Sequence, residues 1–223
     1  MLFGTGGECK AHLPYDSALL LSGRRRREQL RSCGLSLHAR LRTETAPAHE
    51  RLERSLDLLS RPLDRDRLTA LLVRFHGFHQ DWEPALACCL PAELVPRPRL
   101  PLLEHDLRTL GVGNDIMTAI PSCAHAASLG EHQDTALGSV YVLEGSTLGG
   151  RVVARHFAEA PWWPAAGLGY FDPYGDETAT RWRHTLAQLA AAGGDADRIV
   201  AGAVRTFEIL QLWLVPPRVT AAA

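Results

Sequence analysis

The sequence predicts an all-α fold, on three observations. Apolar residues recur at spacings of three and four in long runs from Leu37 onward, the period of a helix with one buried face. No pair of alternating apolar runs is joined by a tight turn, so no β-hairpin is announced. No segment repeats at a fixed period, which sets aside solenoids and arrays.

Composition narrows the class. The chain has 223 residues, 46% of them hydrophobic, enough for one domain that buries a real core without staples. A formal net charge of -1 argues against a dedicated nucleic-acid binder. Lys10 is the only lysine, so any anion site must be built from arginine. The cysteines (Cys9, Cys33, Cys88, Cys89, Cys123) form no CxxC pair and are odd in number. That pattern is no disulfide framework and favours a reducing cytosol. No apolar run approaches a membrane span. The short apolar run at 18–21 precedes the basic run Arg24–Arg27, the reverse of a secretory signal. The expected location is cytoplasmic.

Residues 1–34 are Gly-rich, then basic, without clear periodicity; they are expected to be a poorly ordered extension, with one domain over 35–223. Leu37, Leu41, Thr45, Ala48, Leu52, Leu56 and Leu59 predict the first helix, with Pro47 inside the run as a kink or a restart and Pro62 beyond its end. A second helix starts near Asp66 and buries Leu68, Leu71, Leu72, Phe75, Phe78 and Trp82, with Pro84 disturbing its last turns. "LPAELVPRPRLP" is a connector, and "LLEHDLRTLG" at 102–111 is a short helix stopped by Gly111. A long helix covers residues 134–158. An aromatic loop follows, then helices over 176–192 and 195–214, the last ending before Pro216–Pro217.

The long helix contains "VYVLEGSTLGGRVVARH", residues 140–156. Each interior glycine costs about 1 kcal/mol relative to alanine. At 100° per residue, Gly138, Gly145 and Gly149 fall within about 40° of one another, with Gly150 and Ser146 flanking them. Three readings fit a strip without side chains. Small residues can let two helices pack closely. "GSTLGG" can be a phosphate cradle, although Arg151 and Val152 stand where a P-loop has Lys and a hydroxyl residue. A bare face can also lie against a large flat ligand, which then needs a partner on its other side.

"LRTETAPAHERLE", residues 41–53, offers that partner. His49 and Glu53 are one helical turn apart on one face, and a metal-bound imidazole usually gives its other N–H to such an acceptor. The plainer reading is a surface histidine in a helix pair. His76 and His79 have metal-like spacing but no recognisable third ligand, and they read as packing residues.

These segments resemble the heme oxygenase family, particularly its bacterial, biliverdin-producing branch, over about Leu37 to Val215. "LRTETAPAHERLE" resembles that family's first helix, which implies His49 as the proximal iron ligand, Glu53 as its acidic support, Thr45 beside them, and Arg42 as a partner for a heme propionate. "RFHGFHQDWEPAL" resembles the second helix. "YVLEGSTLGGRVVARH" resembles the distal helix, implying that Gly145, Ser146, Gly149 and Gly150 face the other side of the heme. "YFDPYGDETATRWR" and "TFEILQLWL" resemble the C-terminal helices, with Arg181 and Arg183 as further propionate candidates.

The resemblance implies a single-domain multi-helix bundle with heme sandwiched between a proximal helix and a Gly-rich distal one. Heme is then substrate as well as cofactor, opened with oxygen and an external electron donor, usually a ferredoxin or flavoprotein, to biliverdin, carbon monoxide and ferrous iron. A bilin-binding photoreceptor is one downstream partner. Ser146 departs from the pattern, since many members carry an aspartate there that orders distal water. Two rivals use the same features: a carrier or sensor that binds heme without degrading it, and a thiaminase-like enzyme on the same scaffold.

Overall fold

A computed structural model of the chain describes residues 35–59 and 64–215. The extension expected over 1–34, Pro62 and Pro216–Pro217 lie outside the described residues. Among the described residues every regular element is helical and none is a strand.

Helix α1 spans Leu37–Leu56 and buries Leu41, Thr45, Ala48 and Leu52, the stripe that the spacing predicts. Pro47 sits within it on the exposed side and does not divide it. An interior proline costs about 3 kcal/mol, a penalty that the buried stripe offsets. The helix ends short of Leu59 because Asp57 takes φ 45° and its N–H bonds to the Glu53 carbonyl at 2.9 Å. This left-handed turn closes the helix, and Leu59 is left half exposed rather than in the stripe.

Helix α2 spans Arg65–Cys89, opened by Asp64, whose side chain accepts from the Arg67 N–H at 2.7 Å. Pro84 lies inside α2 and does not end it, because Trp82 and Leu86 are both fully buried on either side of it. Helix α3 is Leu100–Thr109, with Pro101 in its first turn, where a missing N–H is no loss. The short helices α4 (Asn114–Thr118) and α5 (Ala124–Ala127) fall in a region to which the sequence pattern assigns no element. Each is about one turn, too short to show a period.

Helix α6 is Gln133–Phe157. Helix α7, Thr178–Ala192, follows a 3-10 turn over Gly175–Glu177, which accounts for the predicted start at 176. Helix α8 is Ala196–Leu214, capped by Asp195, which accepts from the Asp197 and Arg198 amides. No helix among the described residues is long and apolar enough to cross a membrane.

Both α1 and α6 pack along α8, yet they scarcely touch each other. Arg40 fastens α1 to α8 through Asp197 at 2.8 Å. The α6–α8 contact is made by bare backbone. A Cβ on Gly138 would strike the Ile199 carbonyl and the Ala203 amide, and one on Gly202 would lie 2.7 Å from Thr135 Cα. Trp82 ties α2 to α6 by donating to Ser139 Oγ at 2.9 Å.

Two stability measurements check this packing. Gly138→Ala should lose about 1–3 kcal/mol in urea denaturation, the usual penalty for overfilling a tight contact; an unchanged midpoint would contradict the close approach. Burial also holds the His76 and His79 imidazoles below their ordinary range. They are neutral in the folded chain, so as pH falls the unfolded chain takes up the protons first. Their contribution is complete above about pH 6.5 and is lost below it. The urea midpoint should therefore drop as pH falls below about 6.5, and less steeply in His76→Gln.

Candidate functional site

On α1, His49 and Glu53 are brought together as their spacing predicts. His49 Nε2 lies 3.2 Å from Glu53 Oε1, and the two side chains are 52% and 65% exposed. The imidazole rests on Phe207 of α8, ring centroids 5.3 Å apart, and Phe207 itself is buried. One ring nitrogen is engaged by the carboxylate while the ring face is supported from below. Thr45, one turn earlier, does not join them. It is buried, and its hydroxyl donates to the Leu41 carbonyl of its own helix at 2.8 Å.

On α6 the glycines divide into two kinds. Gly138 is taken up by α8, and Gly150 is buried with its Cβ direction against the Phe171 carbonyl. Both are packing glycines. Gly145 is partly covered, since a Cβ there would lie 3.2 Å from Cη2 of Trp182 on α7. At Gly149 a Cβ would meet nothing within 4 Å. Ser146 is exposed and donates to the Leu143 carbonyl at 2.8 Å, while Thr147 turns inward to the Glu144 carbonyl. Ser146 and Gly149 thus border open space, Gly145 is covered by Trp182, and Gly150 braces the helix from behind.

The two helices meet at one end through aromatic rings. His38 of α1 lies 6.3 Å from both Tyr141 of α6 and Trp182, and Tyr141 lies 5.3 Å from Trp182. Arg42 is exposed on α1, and its charge opposes the rise that burial imposes on the Tyr141 phenol. Arg181 and Arg183 flank Trp182 and are both exposed. Arg181 Nε is 3.3 Å from Glu177, and its guanidinium lies 5.7 Å from the Tyr174 ring centroid. Arg183 bonds only weakly to Ala179 and Thr180 of its own helix. Exposed pairs of this kind hold an arginine loosely.

The sequence pattern gives no signal for two further features. One is Phe207 beneath His49. The other is a buried cluster in which Glu144, next to Gly145, accepts from Arg99 at 2.7 Å and from Tyr174 at 3.1 Å. His76 and His79 are both buried, as packing residues should be. His79 Nδ1 lies 2.9 Å from Glu83 and its Nε2 lies 3.2 Å from the Tyr170 hydroxyl. Among the described residues no group of three or more His, Cys, Asp or Glu is placed to hold a metal ion.

The chain is thus an all-α protein whose exposed histidine and bare helix face lie on two helices bedded on a common third. No family model matches it. A heme oxygenase of Xanthomonas campestris pv. campestris (strain 8004) is 34% identical to it over 155 residues, 65% of this chain and 87% of the relative. The chain belongs to the heme oxygenase family.

The division among the glycines is directly testable. Gly149→Ala should be neutral or stabilising by up to about 1 kcal/mol, since it adds helix propensity and meets no atom. Gly150→Ala should lose about 1–3 kcal/mol against the Phe171 backbone. Equal urea midpoints for the two variants would contradict the assignment.

Proposed function

We propose that this chain is a heme oxygenase that opens heme to biliverdin, releasing carbon monoxide and ferrous iron with oxygen and electrons from an external ferredoxin or flavoprotein. The observation that carries the reading is the exposed imidazole of His49 on α1, with Glu53 3.2 Å away, together with the open backbone of Gly149 on α6, both helices resting on α8. Family membership supports heme as the ligand.

These residues fit the group. His49 has one ring nitrogen 3.2 Å from the Glu53 carboxylate, an acceptor of the kind that orients a ligating imidazole, and the other is for the iron. The space a Cβ would fill at Gly149 is open, so a flat macrocycle can approach the helix backbone there. Heme, when bound, supplies the iron and the oxidisable ring. The chain's part is to bind, orient and manage protons. Arg42, Arg181 and Arg183 are exposed guanidiniums for the two propionates, which arginine meets bidentately. Ser146 is the exposed hydroxyl on the distal side and can order a water. Arg151, one residue after Gly150 on α6, pairs with Asp172 at 3.4 Å and Asp176 at 3.1 Å. The distal face then lacks a peroxidase-like acid–base pair, and water-borne protons suit ring opening.

The odd cysteine count without a CxxC pair supports a reducing cytosol as its location. A bilin product suits iron release or supply of a bilin-binding photoreceptor. The second reading, a carrier or sensor that binds heme without turnover, draws on Ser146 in place of a water-ordering aspartate.

His49→Ala tests the ligand assignment. Hemin added to the wild-type protein should give a sharp histidine-ligated Soret band, and the variant should lose it or show the broad band of loosely held hemin. An unchanged spectrum in the variant would refute His49 as the ligand.

A further inference from the structure

Glycines at 145 and 149 leave α6 with no side chains to set its rotation on that face. Besides the packing on α8, a polar contact holds it from about 100° and 140° round the helix, at Glu144. This carboxylate is 5% exposed and is met by donors from two other elements. Arg99, itself 5% exposed, donates from Nη2 to Oε1 at 2.7 Å. The Tyr174 hydroxyl, from the turn before α7, lies 3.1 Å from both carboxylate oxygens. Burial pushes the Tyr174 phenol above its ordinary range, so it stays a donor. Arg99 is anchored in turn, because its amide and that of Leu100 donate to Glu83 of α2 at 2.7 and 3.1 Å.

A buried ion pair is poor evidence of stabilisation, since apolar replacements of similar volume are often as stable or more so. What it supplies is direction. Two donors on separate elements converge on one carboxylate and so resist rotation of α6. The Tyr174 ring is also flanked by two guanidiniums, Arg99 at 5.2 Å and Arg181 at 5.7 Å. The same tyrosine therefore touches a candidate propionate partner and the glycine helix.

We propose that Arg99 and Tyr174 are positioning residues which, through Glu144, trim the rotation of α6 on its α8 seat and so the distance at which Gly149 meets the heme plate. Through the Tyr174 ring this setting is linked to Arg181. The proposal rests on the heme oxygenase reading.

Tyr174→Phe keeps the ring and removes the hydroxyl, and Glu144→Gln keeps the shape and removes the charge. Amide hydrogen exchange on the heme-free proteins should be about tenfold faster at residues 145–150, the loss expected for a bond to a charged acceptor. Exchange at Ile199 and Ala203 of α8 should not change. In the hemin-loaded variants the ferric high-spin to low-spin ratio by electron paramagnetic resonance should shift, with hemin affinity within about threefold of wild type. Unchanged exchange and unchanged spin state in both variants would overturn the proposal. So would a uniform acceleration through α6 and α8, which marks a merely structural role. Wild-type protein that gives no Soret band with hemin overturns the heme reading, and with it the ligand named here; a normal wild-type Soret with inert variants overturns the positioning alone.

Discussion

The rest of the structure depends on how closely α6 lies on α8. That approach is possible because Gly138 and Gly202 carry no side chains where the two backbones meet. With α6 seated there, α8 has its other flank for α1, fastened by the Arg40–Asp197 pair. The helices that carry His49 and Gly149 are therefore both referenced to one element. Their direct contact is slight and includes the His38–Tyr141 ring pair at one end.

This explains why one helix tolerates so many glycines. Each gives up about 1 kcal/mol of helix propensity. At Gly138 and Gly150 the return is a close backbone contact, with α8 and with Phe171. At Gly149 the fold itself offers no return, because nothing stands within reach of a Cβ. A glycine where alanine fits and favours the helix leaves room for something outside the chain to come close to the backbone. Under the proposed function that visitor is heme. The cluster on Glu144 then has a plain purpose, since a face stripped of side chains must be held in register from elsewhere.

The long helices were legible because their buried stripes repeat over several turns. Leu41, Ala48 and Leu52 in α1, and Leu68, Leu72 and Trp82 in α2, fall where the three- and four-residue spacing puts them. Pro47 does not restart α1 and Pro84 does not end α2, because local penalties of this size are outweighed by burial of neighbouring side chains. The two one-turn helices after Gly111 were invisible for want of a period. Within the site, His49 and Glu53 were legible as an i,i+4 pair. The helical wheel could place four glycines near one face and could not tell which of them another backbone already covers; that depends on Ile199, Phe171 and Trp182, all remote in sequence. Arg99 and Glu144 are 45 positions apart, and no local pattern joins them. Thr45 had the right spacing to stand beside His49, but its hydroxyl is taken by its own helix.

The measurement that bears most directly on the account is absorbance of the purified protein with one equivalent of hemin, followed by ascorbate in air. The account predicts a sharp Soret band that decays while a broad red bilin absorption grows. A Soret band that persists without any bilin would contradict the proposed turnover and leave a heme carrier or sensor. No Soret band at all would remove heme from the site and leave Gly149 without an explanation.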